Sequence, residues 1–288
     1  MKEIRVDNQE ELGWTAKLAR IAGIAYLPSA SAEPRFHKLG FPQVKFIDYH
    51  GTQCYVAWNT DSMVIAFRGT EPTQWNDIKA DLRAWLVKDD ECSGRIHTGF
   101  HHEVHKILDR VQITVGQMRH KKKLYITGHS LGGALATLCA ADIRRSLKLP
   151  VTMYNYGSPR VGNKKFKILY QKLVPDSFRF VNDKDAVPTM PKIAYHHVGN
   201  LCYMDNDGEI QINPGFAMRV FDSIQDTVGF MDLEKLTDHL SSHYRDQLEP
   251  LTKKVLPLFG DARETIEDKI DDLEGVVKDA REMVGKYV

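Results

Sequence analysis

Between Leu12 and Tyr26 the apolar residues Trp14, Leu18, Ile21 and Ala25 recur at helical spacing, which predicts an amphipathic helix. Two β-rich runs follow, Val44 to Tyr49 and Gln53 to Asn59, joined at His50-Gly51 as a hairpin. Ser62 to Phe67 reads as a third strand, and Phe100 to Met118 as a helix. Strand-then-helix units come next: Lys123 to Thr127 before a helix from Leu131 to Leu147, then Val151 to Tyr156 before Lys164 to Leu173. Strands at Ser177 to Val181 and His197 to Met204 complete the set. Strands alternating with helices point to a mostly parallel sheet covered on both faces, with the N-terminal strands as an antiparallel edge. Asn206 to Thr227 has no period and is expected to be irregular.

The tail has a different texture. From Asp261 onward apolar residues fall at Ile266, Ile270, Leu273, Val277, Ala280 and Val284, a 4-3-4-3-4 spacing with charges between them. Glu274–Lys278 and Glu282–Lys286 stand in the favourable i, i+4 order. This predicts an amphipathic helix after a break at Pro257 to Gly260. Packing on its own domain is the favoured use, ahead of pairing between chains into a homo-oligomer or lying on a lipid surface. Its acidic excess opposes anionic membranes.

Composition changes this picture little. The 288 residues are 42% hydrophobic and 27% charged, ordinary globular values that allow a sizeable core. A net charge of +1 gives no reason to expect a nucleic-acid partner. The one basic run, Arg119 to Lys123, reads as a solvated helix end. The charged segment Met1 to Leu12 lacks the apolar core of a secretory signal, and no apolar run is long enough to span a bilayer. Cys54, Cys92, Cys139 and Cys202 form no CxxC pair, and three of them sit in apolar strand-like or helix-like contexts, as buried free thiols do. Together these lead to the expectation of a reducing, cytoplasmic setting.

Chemistry enters at Gly128-His129-Ser130-Leu131-Gly132, followed by Gly133. The G-x-S-x-G pattern places a serine on a sharp strand-to-helix turn, with glycines where a Cβ would clash. A chain with 20 glycines can produce the bare pattern by chance, so the context decides. Lys123 to Thr127 is a strand signal directly before it, and Ala134 to Ile143 a strong helix signal directly after. The helix start also aims its N–H groups at developing negative charge. No G-x-x-x-x-G-K-[ST] phosphate loop is present.

A serine hydroxyl needs a histidine to take its proton and a carboxylate to orient that histidine, in the chain order Ser, acid, His on this type of fold. Asp176, Asp183, Asp185, Asp205 and Asp207 are the acids available after Ser130. Asp183 and Asp185 are favoured because they follow the strand Ser177 to Val181, at the edge where ligands bind. Spacing does not choose between them. Among the histidines, His196 and His197 come too soon after the acid loop and head a strand, which leaves His239 and His243. Zinc binding by the pairs His239/His243 or His101/His105 is disfavoured, since neither has H-E-x-x-H or an evident third ligand.

These residues resemble the class 3 lipase family, the fungal-lipase-like branch of the α/β-hydrolases. The resemblance runs from about Ile65 to Tyr244 in ordered blocks. Phe67-Arg-Gly-Thr70 with Glu71-Pro72 is similar to the oxyanion-loop block, and Ile96-His-Thr-Gly-Phe100 to the block after the lid. The elbow follows, then Tyr156-Gly-Ser-Pro-Arg-Val-Gly-Asn163, then Asn182-Asp-Lys-Asp-Ala-Val-Pro188. Asp238-His239, with Tyr244 beyond it, resembles the histidine block. The resemblance implies Asp185 rather than Asp183 as the acid and His239 as the base, with His243 as the alternative. It implies Thr70 and Leu131 as the oxyanion hole.

It also implies a lid near residues 71–90. Trp75, Ile78, Leu82 and Trp85 share one helical face there, with Ile78 where the family often carries Trp. The rival reading is an ordinary helix packed on the core. The implied architecture is an α/β-hydrolase fold over 1–259, with a mostly parallel central sheet and helices on both faces, plus the C-terminal amphipathic helix at 260–288. The implied activity is hydrolysis of carboxylic esters, most of all acylglycerols, with phospholipase A1 or short-chain esterase activity as the alternative and an inactive binding module as the distant one. The expected partner is a lipid or small ester, with transient contact at a lipid interface. No metal or organic cofactor is expected.

Overall fold

The computed structural model describes residues 9–69, 86–89, 94–118, 122–182, 185, 187–191, 194–204 and 210–212. The described strands are, in chain order, β1 (Gln43–Tyr49), β2 (Thr52–Trp58), β3 (Ser62–Phe67), β4 (Leu86–Asp89) and β5 (Gly94–His97). β6 (Lys123–His129), β7 (Val151–Tyr156), β8 (Ser177–Asn182), β9 (Asn200–Met204) and β10 (Ile210–Ile212) follow. All but β4 and β5 join in one eight-stranded sheet, whose spatial order matches the chain order. β3, β6, β7, β8 and β9 run parallel, while β1–β2–β3 and β9–β10 pair antiparallel. The antiparallel N-terminal edge is as expected. β10 lies in the stretch read as irregular, its short apolar run Ile210 to Ile212 pairing with Cys202 to Met204. β4 and β5 pair as a separate two-stranded sheet that the sequence pattern does not announce; β4 falls at the end of the segment expected as lid, and β5 runs into the block expected to follow it.

The helices are α1 (Gln9–Ile24), α2 (Ser29–Lys38), α3 (Thr98–Met118), α4 (Leu131–Ser146) and α5 (Lys164–Leu173). α2 shows no readable period in the sequence, because Pro34 lies inside it and its composition is poor in apolar residues. Both faces of the sheet are covered, which is why the central strands read as continuous apolar runs. Ile65, Phe67, Ile126 and Met153 point into a core shared with α3, α4 and α5. Val64, Ala66, Tyr125, Tyr154 and Phe180 point into the opposite core, shared with α1 and α2. There Trp14 stacks on Tyr125 at 4.0 Å, and the Tyr156 hydroxyl donates to the Thr15 carbonyl at 2.6 Å.

The β1–β2 hairpin turns where expected, with His50 and Gly51 both at positive φ. Cys54, Cys139 and Cys202 are buried free thiols, and burial pushes each above its ordinary range. No described helix is long and apolar enough to cross a membrane. The C-terminal helix expected at 260–288 lies outside the described residues.

Parallel pairing aligns the carboxyl ends of four strands. Phe67 pairs with Gly128, His129 with Tyr156, and Tyr156 with Phe180, so the segments leaving β3, β6, β7 and β8 emerge along one edge. In open parallel sheets this edge is where ligands bind.

Candidate active site at the carboxyl edge of the sheet

Ser130 sits between β6 and α4 with φ 56° and ψ −128°. A non-glycine residue in this region costs about 1–3 kcal/mol, so its surroundings must hold it there. Its N–H donates to the Tyr156 carbonyl at 3.0 Å, and its own carbonyl accepts from Gly133 at 2.9 Å. Two glycines permit the turn. A methyl on Gly128 would overlap the Gly132 carbonyl, and one on Gly132 would overlap the Phe67 carbonyl at the end of β3. The elbow therefore binds β6, α4 and the segment leaving β3 into one rigid corner.

The corner fixes what the serine can do. Ser130 is 1% exposed, and its Oγ has no hydrogen-bond partner among the described residues. Leu131 opens α4, where the first N–H groups of a helix have no acceptor within it and carry the positive end of its dipole. The second expected oxyanion residue, Thr70, lies outside the described residues, although Gly69 before it is placed at the same edge. Thr137 supports the helix from inside by donating to the Gly133 carbonyl at 2.8 Å.

Asp185 follows the end of β8, two strands from the serine. It is 2% exposed. Its N–H donates to the Asn182 carbonyl at 3.0 Å, and its Oδ1 accepts from the Val187 N–H at 2.9 Å. The topology thus brings Ser130, Leu131 and Asp185 to one edge. Asp183, the other acid of this loop, lies outside the described residues. So do His239 and His243, and Trp75, Ile78, Leu82 and Trp85 of the expected lid. The His101 and His105 rings lie 4.0 Å apart on α3, tilted by 30°, with the His105 Nδ1 against the His101 carbonyl at 2.8 Å. Among the described residues no group of three or more His, Cys, Asp or Glu side chains is arranged to hold a metal.

Two features of this edge have no signature in the sequence pattern. The Tyr26 hydroxyl, from the turn after α1, lies 2.9 Å from the His129 Nδ1 beside the nucleophile position. A single tyrosine 103 residues from its partner carries no local signal. His197 does not head a strand, since β9 begins at Asn200. Its Nε2 lies 2.6 Å from the Pro188 carbonyl. A carbonyl only accepts, so this nitrogen carries the proton. Burial first, then the Arg179 and Arg160 guanidiniums, hold the His197 ring well below its ordinary range despite that bond.

Two outcomes follow from this packing. Gly132→Ala must push α4 away from β3, and is expected to lower stability by about 1–3 kcal/mol in urea denaturation. The folded state resists protonation of His197, whereas the unfolded chain takes up a proton there as pH falls through the ordinary histidine range. Wild-type protein should therefore lose stability from pH 7.5 to 5 more steeply than His197→Gln, measured by denaturation midpoints at each pH.

Known proteins resemble this chain in sequence and in fold. The profile of the lipase (class 3) family matches residues 64–195, from β3 through the loop before β9. Lipase ZK262.3 of Caenorhabditis elegans is 35% identical over 161 residues, covering 50% of this chain and 43% of that protein. The chloroplastic phospholipase A1-Igamma1 of Arabidopsis thaliana is 30% identical over 157 residues, covering 45% of this chain and 30% of that protein. The chain thus spans less than half the length of these curated relatives. Among solved structures, the lipase of Rhizomucor miehei in its native propeptide complex superimposes with a TM-score of 0.63 at 24% identity. It covers 72% of this chain and 73% of its own, which shows a shared fold. The matched profile thus spans the elbow and the acid loop, on a fold shared with the Rhizomucor miehei lipase.

Proposed function

We propose that this protein hydrolyses carboxylic esters, acylglycerols above all, through a covalent acyl-enzyme on Ser130. The observation that carries the reading is the serine itself: strained, at the ligand-binding edge, with a buried hydroxyl that no described residue engages. A hydroxyl so placed is held for an imidazole to activate. In the proposed cycle His239 accepts the Ser130 proton as Oγ attacks the ester carbonyl, and the N–H groups of Thr70 and Leu131 bind the oxyanion. His239 then protonates the leaving alcohol as the C–O bond breaks. It next accepts a proton from the water that attacks the acyl-enzyme and returns it to Ser130 as the acid leaves. Asp185 orients the imidazole and stabilises its charged form.

Phospholipase A1 activity on the same machinery is the second reading, supported by the similarity to the Arabidopsis phospholipase A1. The proposed setting is cytoplasmic, in keeping with the buried free thiols. Ser130→Ala is expected to lower hydrolysis of a chromogenic acyl ester by at least about 10³-fold while leaving the circular dichroism and melting temperature unchanged. Undiminished turnover in that variant contradicts the proposal. Relative rates on tributyrin emulsion, long-chain triacylglycerol and phosphatidylcholine then separate the two readings.

A further inference from the structure

The backbone beyond Asp185 is held in an unusual way. From within the Val187–Thr189 3₁₀ turn onward the chain presents four successive carbonyls, Pro188 to Pro191, and each is bound by one of two residues from outside the loop. His197 donates from Nε2 to Pro188 at 2.6 Å. Arg160 donates from one guanidinium nitrogen to Thr189 at 2.6 Å and to Pro191 at 3.2 Å, and from its backbone N–H to Met190 at 2.7 Å. Arg160 is 7% exposed, so its charge is directed into these carbonyls instead of into water.

The clamp is itself anchored. The residues after Arg160 are tied to β5, where the His97 N–H donates to Val161 at 2.9 Å and the Asn163 N–H to Arg95 at 2.8 Å. The His196 N–H, next to His197, donates to the Gly162 carbonyl at 2.7 Å. Both clamp residues are therefore braced by one segment. That segment begins at Tyr156, whose carbonyl accepts from the Ser130 N–H. The serine corner and the acid loop are referenced to the same stretch of backbone.

We infer that Arg160 and His197 are positioning residues for the reaction: by gripping the four carbonyls that follow Asp185 they set where its carboxylate stands relative to Ser130. The inference rests on Asp185 being the acid of the proposed triad. A shift of about 1 Å in such a group costs on the order of 10²-fold in rate. The loss falls on the step in which the imidazole is charged, and leaves substrate binding alone.

The test is the pH dependence of kcat and kcat/KM from pH 5 to 9 on a soluble chromogenic ester. It compares wild-type protein with Arg160→Met, His197→Phe, His197→Gln, Asp185→Asn and the double variant His197→Phe/Asp185→Asn. Expected for His197→Phe and Arg160→Met is a kcat lowered about 10–100-fold with KM within about twofold. The acid limb of kcat/KM should move to lower pH, because the base loses part of the carboxylate's support. His197→Gln keeps a donor near the Nε2 position and should recover most of the rate. In the Asp185→Asn background His197→Phe should cost less than about threefold more, since the group it positions is already gone.

Wild-type kcat in His197→Phe and Arg160→Met overturns the inference, as does a full multiplication of penalties in the double variant. Should His197→Phe fail to fold, Arg160→Lys must show the same kcat-only loss, and wild-type kcat there is equally fatal. Asp185→Asn with wild-type kcat overturns the triad assignment and the clamp together. A crippled Asp185→Asn beside an unimpaired His197→Phe overturns the clamp alone.

Discussion

Ser130 can hold its left-handed backbone only because four neighbours have nowhere else to go. The Gly128 and Gly132 backbones press together inside the turn, the Phe67 carbonyl closes on Gly132 from β3, and the Tyr156 carbonyl takes the serine N–H from β7. A conformation that costs about 1–3 kcal/mol persists when it is shared by a corner whose parts are all buried. Relaxing the serine would separate α4 from β3 and break its bond to β7. The corner also draws on two apolar cores, since the strands that form it are packed on both faces.

The rest of the edge inherits this precision. Parallel registers carry the position of Ser130 across β7 to β8, and from there to Asp185, which is almost fully buried with its Oδ1 capped by the Val187 N–H. The signature segment from Tyr156 to Asn163 works as a cross-brace, bonded to the serine, the β4–β5 hairpin and the loop before β9. A reaction that needs hydroxyl, imidazole and carboxylate within a few tenths of an ångström gains most from such bracing. The proposed chemistry thus rests on the stiffness of one sheet edge, which the two packed faces behind it supply.

Much of this is legible in the amino-acid order. Long apolar runs bounded by turn residues mark the central strands to within one to three residues, and the elbow declares itself by glycine spacing between a strand and a helix signal. What stays hidden does so for physical reasons. α2 is rich in small and polar residues and contains Pro34, so its burial of Ala32 and Phe36 leaves no period to read. The β4–β5 hairpin is charged and short, and the packing of β5 against α5 compensates for the propensity it lacks. Tyr26 and His197 act through contacts with a distant ring and a carbonyl, and such roles leave no local pattern. Between Asp183 and Asp185 spacing is silent, and family resemblance alone favours Asp185.

The central claim is that one hydroxyl, and no other, is made reactive by this corner. Incubation of the folded chain with a fluorophosphonate, followed by intact-mass measurement and peptide mapping, tests it most directly. A single phosphonyl adduct per chain is expected, on the peptide that contains Ser130, and lost on heat denaturation before labelling. An adduct on another residue, or none on folded protein, would contradict the claim.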